Sequence, residues 1–288
     1  QTSCMLPAYG ADAHGGEAMT PSRLAANISG TPSKGRIYAL HGVTDNAASL
    51  SDISARWSSD YEVVLIDALG HGCSPRFTPT QLEDPFEALV SSAASLICTI
   101  EESAPAPFVA LLGHSMGGAT AADIVSRGLA PVDALVLEDP ALLTPDQREH
   151  FRASAEDRIA RCDEVTQWMG REIDILLKDY PQWSPSEAGG WAQGKAQVDR
   201  NFLARGVVSG SRSCEEILAP ISVPTLLMTG DGDDVLIGRG GIDEINAMGN
   251  PSVETLLIPG ARHCVRHSTP EPFYAAVNAF FTRVAPSK

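Results

Sequence analysis

The sequence has no long hydrophobic run, and basic residues are scarce. No apolar stretch approaches the roughly 18–20 residues needed to cross a bilayer, so we predict no membrane span. Lys and Arg number 21 against 36 Asp and Glu, for a net charge of −15 at pH 7. An acidic chain is poorly suited to bind nucleic acid or anionic lipid. The expected partner is therefore a small-molecule substrate, and the expected state is a monomer or homodimer.

Motifs typical of metal and redox centres are also missing. The six cysteines include no C-x-x-C pair, and the seven histidines include no H-E-x-x-H. We therefore expect no cofactor and no metal site. Buried free thiols are the favoured state of the cysteines, and a Cys162–Cys214 bridge is kept as an alternative. The stretch from Gln1 to Thr20 lacks the basic-then-apolar pattern of a secretory signal, so the prediction is a cytoplasmic protein.

The order of the predicted elements indicates an α/β protein with a mostly parallel sheet. Residues 1–22 are predicted to form an irregular segment. After it, short continuous apolar runs, typical of buried strands, occur in turn with helical patterns. Strand signals then vanish over residues 140–220, where Thr144-Pro-Asp-Gln147 and Ser184-Pro-Ser-Glu187 have the spacing of helix capping boxes. We predict a core formed by residues 23–139 and 221–288, interrupted by a helical insert.

The most informative motif is Gly113-His114-Ser115-Met116-Gly117. An apolar run precedes it and a run of small residues follows, which predicts a strand that turns directly into a helix. Such a turn strains its central residue and needs small neighbours, and it exposes the serine hydroxyl at a helix N-terminus. A serine hydroxyl is a weak nucleophile that needs a histidine base, and the base needs a carboxylate to orient it.

Candidate partners for Ser115 follow other predicted strands, at the sheet edge where parallel α/β sheets bind ligands. The sets that follow strands are His41-Gly42-Val43, Asp67, Asp231-Gly232-Asp233-Asp234 and Gly260-Ala-Arg-His263.

Together these motifs make the sequence resemble the α/β-hydrolase family from about Arg23 to the C-terminus. The resemblance is carried by Leu40-His-Gly42, Asp67-Ala-Leu-Gly-His-Gly-Cys-Ser74, Gly113-His-Ser-Met-Gly117, Pro224-Thr-Leu-Leu-Met-Thr-Gly-Asp-Gly-Asp233 and Pro259-Gly-Ala-Arg-His263. It implies that Ser115 is the nucleophile, that His263 is the general base, and that the insert is a helical cap.

The resemblance also implies an acid in the loop after the strand that begins at Pro224. Asp233 is favoured by its spacing from Gly230, and Asp231 and Asp234 are kept as rivals because they are close to it. The turn is expected to direct Asp231 toward the turn or solvent and Asp234 away from the site. Two further acids, Glu138 and Asp139, follow an earlier strand and are kept as alternatives. His267 is a rival base, interpreted as a surface or supporting residue.

The oxyanion hole is expected to use the backbone N–H groups of Val43 and Met116. Four side chains are assigned to the substrate pocket: His41, His114, Trp168 and Trp183. Each has an alternative role, hydrogen-bonded support for the histidines and packing of the insert for the tryptophans.

The resulting hypothesis is a carboxylesterase-like hydrolase that acts on a small neutral, largely apolar ester through an acyl-enzyme. The alternatives are a C–C bond hydrolase or another cofactor-free activity of this scaffold, such as a perhydrolase, lyase or acyltransferase, and a catalytically inactive binding protein. Ser115 excludes family branches that use an aspartate nucleophile.

Overall fold

The computed structural model describes residues 23–285, and a seven-stranded sheet forms its centre. The strand order is β1-β3-β2-β4-β5-β6-β7; β1 pairs antiparallel with β3, and every other pairing is parallel. The predicted α/β class with a mostly parallel sheet is therefore confirmed. The strands are β1 (Ala26–Ser29), β2 (Arg36–Leu40), β3 (Glu62–Ile66), β4 (Val109–His114), β5 (Ala134–Glu138), β6 (Thr225–Gly230) and β7 (Val253–Ile258).

Helices cover both faces of this sheet. Successive side chains of β2 enter opposite layers: Tyr38 packs in the layer that includes α2 and α3, whereas Ile37 and Ala39 pack in the layer that includes α1 and α12. The helices are α1 (Ser51–Trp57, after a 3₁₀ turn at Ala47–Leu50), α2 (Pro85–Ser103), α3 (Met116–Ser126), α4 (Pro145–Ala153), α5 (Ala155–Gln167), α6 (Met169–Asp179), α7 (Pro185–Gln197), α8 (Arg200–Leu203), α9 (Cys214–Leu218), α10 (Gly238–Ala247), α11 (Val265–Ser268) and α12 (Pro270–Val284).

The chain between β5 and β6 is described throughout, and it forms helices α4 to α9 without contributing a strand to the sheet. Its helix starts follow from the sequence. Thr144 and Ser184 each accept a hydrogen bond from the backbone N–H three residues later, and Gln147 and Glu187 complete the two capping boxes. Pro is the first residue of both helices, where no backbone donor is needed.

Helix α7 lies very close to the loop that follows β2. A Cβ atom on Gly190 would lie 2.5 Å from the carbonyl carbon of Ala48, and one on Gly194 would lie 2.7 Å from the carbonyl oxygen of Thr44. Both distances are far below ordinary contact, so only glycine lets the two backbones approach this closely. The insert is thereby joined to a loop at the carboxyl edge of the sheet.

The cysteines partly follow the expectation from sequence. Cys162 and Cys214 are free thiols, so the bridge considered between them is not formed. Cys162 is buried as expected, whereas Cys73 is exposed; Cys4 and the predicted irregular segment over residues 1–22 lie outside the described residues. Within residues 23–285, no helix combines the length and apolarity that crossing a membrane requires.

Two neighbouring glycines on α7 provide a matched test of this packing. Gly190→Ala should lower the free energy of unfolding by roughly 1–3 kcal/mol, because its methyl group overlaps the backbone of Ala48. Gly189→Ala should be neutral or stabilise by up to about 1 kcal/mol, because a Cβ there meets no atom within 4 Å and alanine favours helix. Urea unfolding of both variants is the measurement, and equal effects would contradict the close approach.

Candidate active site

Ser115 lies at the sharp turn between β4 and α3 that the sequence predicts. Its φ of 54° and ψ of −118° are strained values for a residue with a side chain. The flanking glycines make the turn sterically possible: a Cβ on Gly113 would lie 2.2 Å from the carbonyl oxygen of Gly117, and one on Gly117 would lie 2.3 Å from that of Leu40. The G-x-S-x-G spacing therefore reflects backbone crowding on both sides of the serine.

His263 reaches Ser115 from the loop between β7 and α11. Its Nε2 lies 3.0 Å from the Oγ of Ser115, and its Nδ1 lies 2.6 Å from the Oδ2 of Asp139. When His263 is neutral, the serine hydroxyl donates to Nε2 and the Nδ1–H donates to the carboxylate. The three side chains thus form one continuous chain of hydrogen bonds.

The carboxylate that contacts His263 belongs to Asp139, so the preference for Asp233 in that position is wrong. Asp139 directly follows β5 and is fully buried. Its carboxylate accepts hydrogen bonds from the Thr229 hydroxyl at 2.7 Å and from the backbone N–H groups of Leu236 and Ile237 at 2.8 and 3.1 Å. The loop after β6 therefore supplies hydrogen-bond donors to Asp139, and it does not return its own acid to the histidine.

The acids of the loop after β6 have other contacts. The Asp233 side chain is 92% exposed and lies 3.5 Å from Arg262. Asp231 accepts a hydrogen bond from the Gly260 N–H at 2.7 Å. Asp234 was expected to point away from the site, but it lines the cavity at Ser115 and accepts the backbone N–H of His263 at 3.0 Å.

The electrostatics of His263 suit a base that is held by a carboxylate. Burial by itself lowers the pKa of His263, but the hydrogen bond and the charge of Asp139 outweigh it, so the pKa is raised above its ordinary value.

Burial lowers the pKa of His114 and of His41, which keeps both rings neutral at pH 7. His41 supports the loop after β2: its Nε2 accepts the Ala68 N–H at 3.1 Å.

The two backbone N–H groups expected to form an oxyanion hole belong to Met116 and Val43. Met116 is the first residue of α3, so its N–H has no acceptor within the helix. Val43 lies in the loop after β2 and lines the same cavity as Ser115. The oxyanion hole expected from these two groups stays a prediction.

A cavity of about 370 Å³ opens beside Ser115 and His263. His114 and Trp183 line it, as expected. His41 does not line it and is fully buried, and Trp168 does not line it either, since its side chain is half exposed to solvent. His267 is buried and lines the cavity, so it is not a surface residue; its contacts with Glu187 and Arg266 fit the alternative interpretation as a supporting residue. The lining residues that the sequence reasoning missed include Thr44, Asp45, Leu176, Tyr180, Trp191, Lys195 and Arg262.

Behind the cavity, the fully buried guanidinium of Arg266 is surrounded by carboxylates. Its Nη1 lies 2.7 Å from Asp52 and 3.3 Å from Glu187, and its Nε lies 3.7 Å from Glu138. Burial opposes its charge, but Asp52 and Glu138 hold the pKa of Arg266 well above its ordinary value. This Arg266 cluster joins α1, the end of β5 and the insert helix α7 to α11, the short helix that follows the loop of His263.

Two groups of potential metal ligands occur among the described residues, and both belong to this region. One is Asp52, Glu187 and His267; the other is His114, Glu138 and Cys264. In the first group, all three side chains already contact Nη1 of Arg266, which supplies the positive charge there. In the second group, burial raises the pKa of the Cys264 thiol well above its usual range, which disfavours the thiolate that a metal needs.

This fold and this serine–histidine site define a hydrolase with the α/β-hydrolase architecture. Residues 31–269 match the sequence model of the family described as serine aminopeptidase, S33. The chain therefore belongs to this family of α/β-hydrolases.

Individual relatives of the chain are also hydrolases. Lipase LipV of Mycobacterium tuberculosis is 33% identical over 113 residues, and the match spans 39% of this chain but only 40% of the lipase. The 2-(acetamidomethylene)succinate hydrolase of Mesorhizobium japonicum is 21% identical over 90% of this chain and 92% of its own. A thermophilic esterase from Thermogutta terrifontis superimposes with a TM-score of 0.68 at 20% identity, over 91% of this chain and 94% of the esterase, and shows the shared fold.

Removing the charge of Arg266 should be strongly destabilising. Arg266→Met leaves buried carboxylates without their cation, and breaking a buried ion pair in this way typically costs about 3–5 kcal/mol. Arg283→Met, which removes an exposed pair with Glu254, should cost less than about 1 kcal/mol. Chemical denaturation measures both values, and similar values for the two variants would refute the structural importance of the Arg266 cluster.

Proposed function

We propose that the protein hydrolyses a small carboxylic ester through an acyl-enzyme on Ser115. The observation that carries this proposal is the chain of hydrogen bonds from Ser115 through His263 to Asp139, which begins at the wall of an open cavity. A serine needs this arrangement to act as a nucleophile at neutral pH. The acid of the proposed triad is Asp139.

In the first half of the reaction, Ser115 attacks the ester carbonyl carbon while its proton moves to Nε2 of His263. The backbone N–H groups of Val43 and Met116 donate to the negatively charged oxygen of the tetrahedral intermediate. His263 then gives the proton to the departing alcohol as the bond between carbon and alkoxy oxygen breaks. The acyl group remains bonded to Oγ of Ser115.

In the second half, His263 takes a proton from water, and the resulting hydroxide attacks the acyl carbon. The same backbone donors stabilise the second tetrahedral intermediate, and the proton returns to Oγ of Ser115 as the carboxylic acid leaves. Asp139 stays ionised throughout, since its role is to hold the tautomer of His263 and to stabilise the imidazolium.

The insert shapes the substrate end of the cavity. Leu176, Tyr180, Trp183 and Trp191 come from α6, α7 and the segment between them, and they give this wall apolar and aromatic surface. A volume of about 370 Å³ suits a small substrate, since ligand pockets of roughly 300–1,000 Å³ are typical of small-molecule sites. These walls support the expectation of a substrate with an apolar group.

The family description raises aminopeptidase activity as an alternative, and the cavity charges oppose it. An aminopeptidase must bind a free α-ammonium group, for which a carboxylate is the natural partner. Among the described residues, each carboxylate that lines this cavity lies beside a cation, Asp45 at 2.9 Å from Lys195 and Asp234 at 3.1 Å from Arg262, so an ammonium group would meet a positive charge at either place. We therefore favour ester over peptide substrates.

The proposal is tested with 4-nitrophenyl esters of increasing acyl length, with alanine 4-nitroanilide as the comparison substrate. The wild type should hydrolyse a short ester and react covalently with a fluorophosphonate, and Ser115→Ala should lose about 10⁴–10⁶ of kcat together with the labelling. Ser103→Ala, at the exposed end of α2, is the matched control and should retain both. Absence of both labelling and turnover in the wild type would favour an inactive binding protein.

The identity of the acid gives a sharper prediction. Asp139→Asn should reduce kcat by about 10⁴, because an amide can stabilise the wrong tautomer of His263. Asp233→Asn should have nearly wild-type kcat, because this side chain is exposed and does not contact His263. Steady-state kinetics on the best ester show which of the two aspartates acts on His263. Thermal melting checks that each variant is folded.

The wild type and Asp139→Asn should also differ in the pH dependence of kcat/KM. In the wild type, kcat/KM should fall as the pH drops through a midpoint above about 6.5, because only neutral His263 accepts the serine proton and its pKa is raised. In Asp139→Asn the raising influence is lost and the effect of burial remains, so this midpoint should move to lower pH. An unchanged midpoint would show that Asp139 does not act on His263.

A further inference from the structure

Lys195 is a buried cation in the wall of the active-site cavity. It lies on the insert helix α7, lines the same cavity as Ser115 and His263, and has a side chain that is only 9% exposed. A lysine is rarely buried to this degree unless its charge is paired. The groups that contact its ammonium therefore indicate the role of Lys195.

The ammonium group of Lys195 is incompletely occupied by the protein. Within residues 23–285, its Nζ donates to the carbonyl oxygen of Thr44 at 3.1 Å and to Oδ1 of Asp45 at 2.9 Å. An ammonium group has three hydrogens, and these two oxygens use two of them. The face of Trp191, whose centre is 4.7 Å from Nζ, limits the alternative directions for the side chain.

The backbone brings this charge close to the reacting groups. Gly194 packs against the Thr44–Asp45 backbone so tightly that a Cβ would lie 2.7 Å from the carbonyl oxygen of Thr44. Val43, the proposed oxyanion donor, directly precedes that segment. The close contact between α7 and this loop therefore holds Lys195 in the wall of the same cavity that Val43 and Ser115 line.

Arg262 is a second cation of the cavity wall, but it is less suited to bind an anion. Its side chain is 46% exposed, its Nε is paired with Asp234, and its Nη1 is bonded to the Tyr180 hydroxyl at 3.1 Å. Because charge interactions are stronger in a buried, low-dielectric environment, Lys195 is the favoured partner for a charged substrate group.

We propose that Lys195 binds a carboxylate of the substrate, so that the preferred ester carries an acidic group in addition to its apolar part. This inference rests on the proposed ester hydrolysis and replaces the neutral substrate expected from sequence with an anionic one. The substrate carboxylate accepts the third ammonium hydrogen, and Asp45 competes with it for the positive charge.

The test compares 4-nitrophenyl hydrogen adipate with 4-nitrophenyl methyl adipate, which have the same acyl chain but end in a carboxylate and in a neutral methyl ester, respectively. The readout is the ratio of their kcat/KM values. Lys195→Met should lower the ratio of acid to methyl ester by about 10- to 100-fold, the usual range for loss of a charged hydrogen bond. Lys178→Met, on the exposed side of α6, removes the same charge outside the cavity and should leave the ratio unchanged.

Asp45→Asn separates substrate binding from a purely structural role of the lysine. If Lys195 binds the substrate carboxylate, removing its competitor raises the ratio, opposite to the effect of Lys195→Met. If the Lys195–Asp45 pair only attaches the insert to the loop, both variants lower the two activities equally and leave the ratio unchanged, which would overturn the proposal. This arm also decides the question if Lys195→Met does not fold.

Calorimetric binding of adipate makes the outcome independent of turnover. Adipate contains no ester, so it reports on the carboxylate subsite even if neither ester is hydrolysed and the proposed function fails. At least a tenfold weaker binding of adipate to Lys195→Met than to the wild type and to Lys178→Met supports the inference. Equal binding to the three proteins overturns it.

Discussion

The buried carboxylate of Asp139 is the constraint on which the site depends. A fully buried charge must be surrounded by hydrogen-bond donors, and here the donors come from Thr229, Leu236, Ile237 and His263. Satisfying this one group therefore determines the path of the loop after β6 and the direction of the His263 ring. Because three separate stretches of chain meet at Asp139, the proposed triad exists only when the whole carboxyl edge of the sheet is assembled.

The insert is attached to this edge by two different kinds of contact. The first contact is steric: Gly190 and Gly194 have no side chains, so α7 can lie directly against the loop after β2. The second contact is electrostatic: the Arg266 cluster joins Glu187 of α7 to α11, the short helix that follows the loop of His263. Buried ionic groups are costly to separate, so the position of the insert and that of the histidine loop are energetically linked.

The cavity combines a reacting wall and a binding wall of different origin. Ser115, His263 and Asp139 follow strands of the sheet, and the strained turn at Ser115 is held by backbone contacts that a side chain would disrupt. The aromatic and cationic residues come largely from α6 and α7. Under the proposed function, the sheet sets the chemistry and the insert selects the ester, and Lys195 is where we expect that selection to be made.

Local sequence alone was sufficient for features whose cause is local. The parallel sheet follows from short apolar runs, the positions of α4 and α7 from their capping boxes, and the turn at Ser115 from glycines that crowd its backbone. What only the tertiary structure decided is which distant groups meet. Asp139 and Asp233 both follow strands that end at the same edge, and spacing along the chain does not show which carboxylate becomes buried beside His263. The same holds for His41 and Trp168, which lie outside the cavity, because burial depends on the packing of segments far apart in sequence.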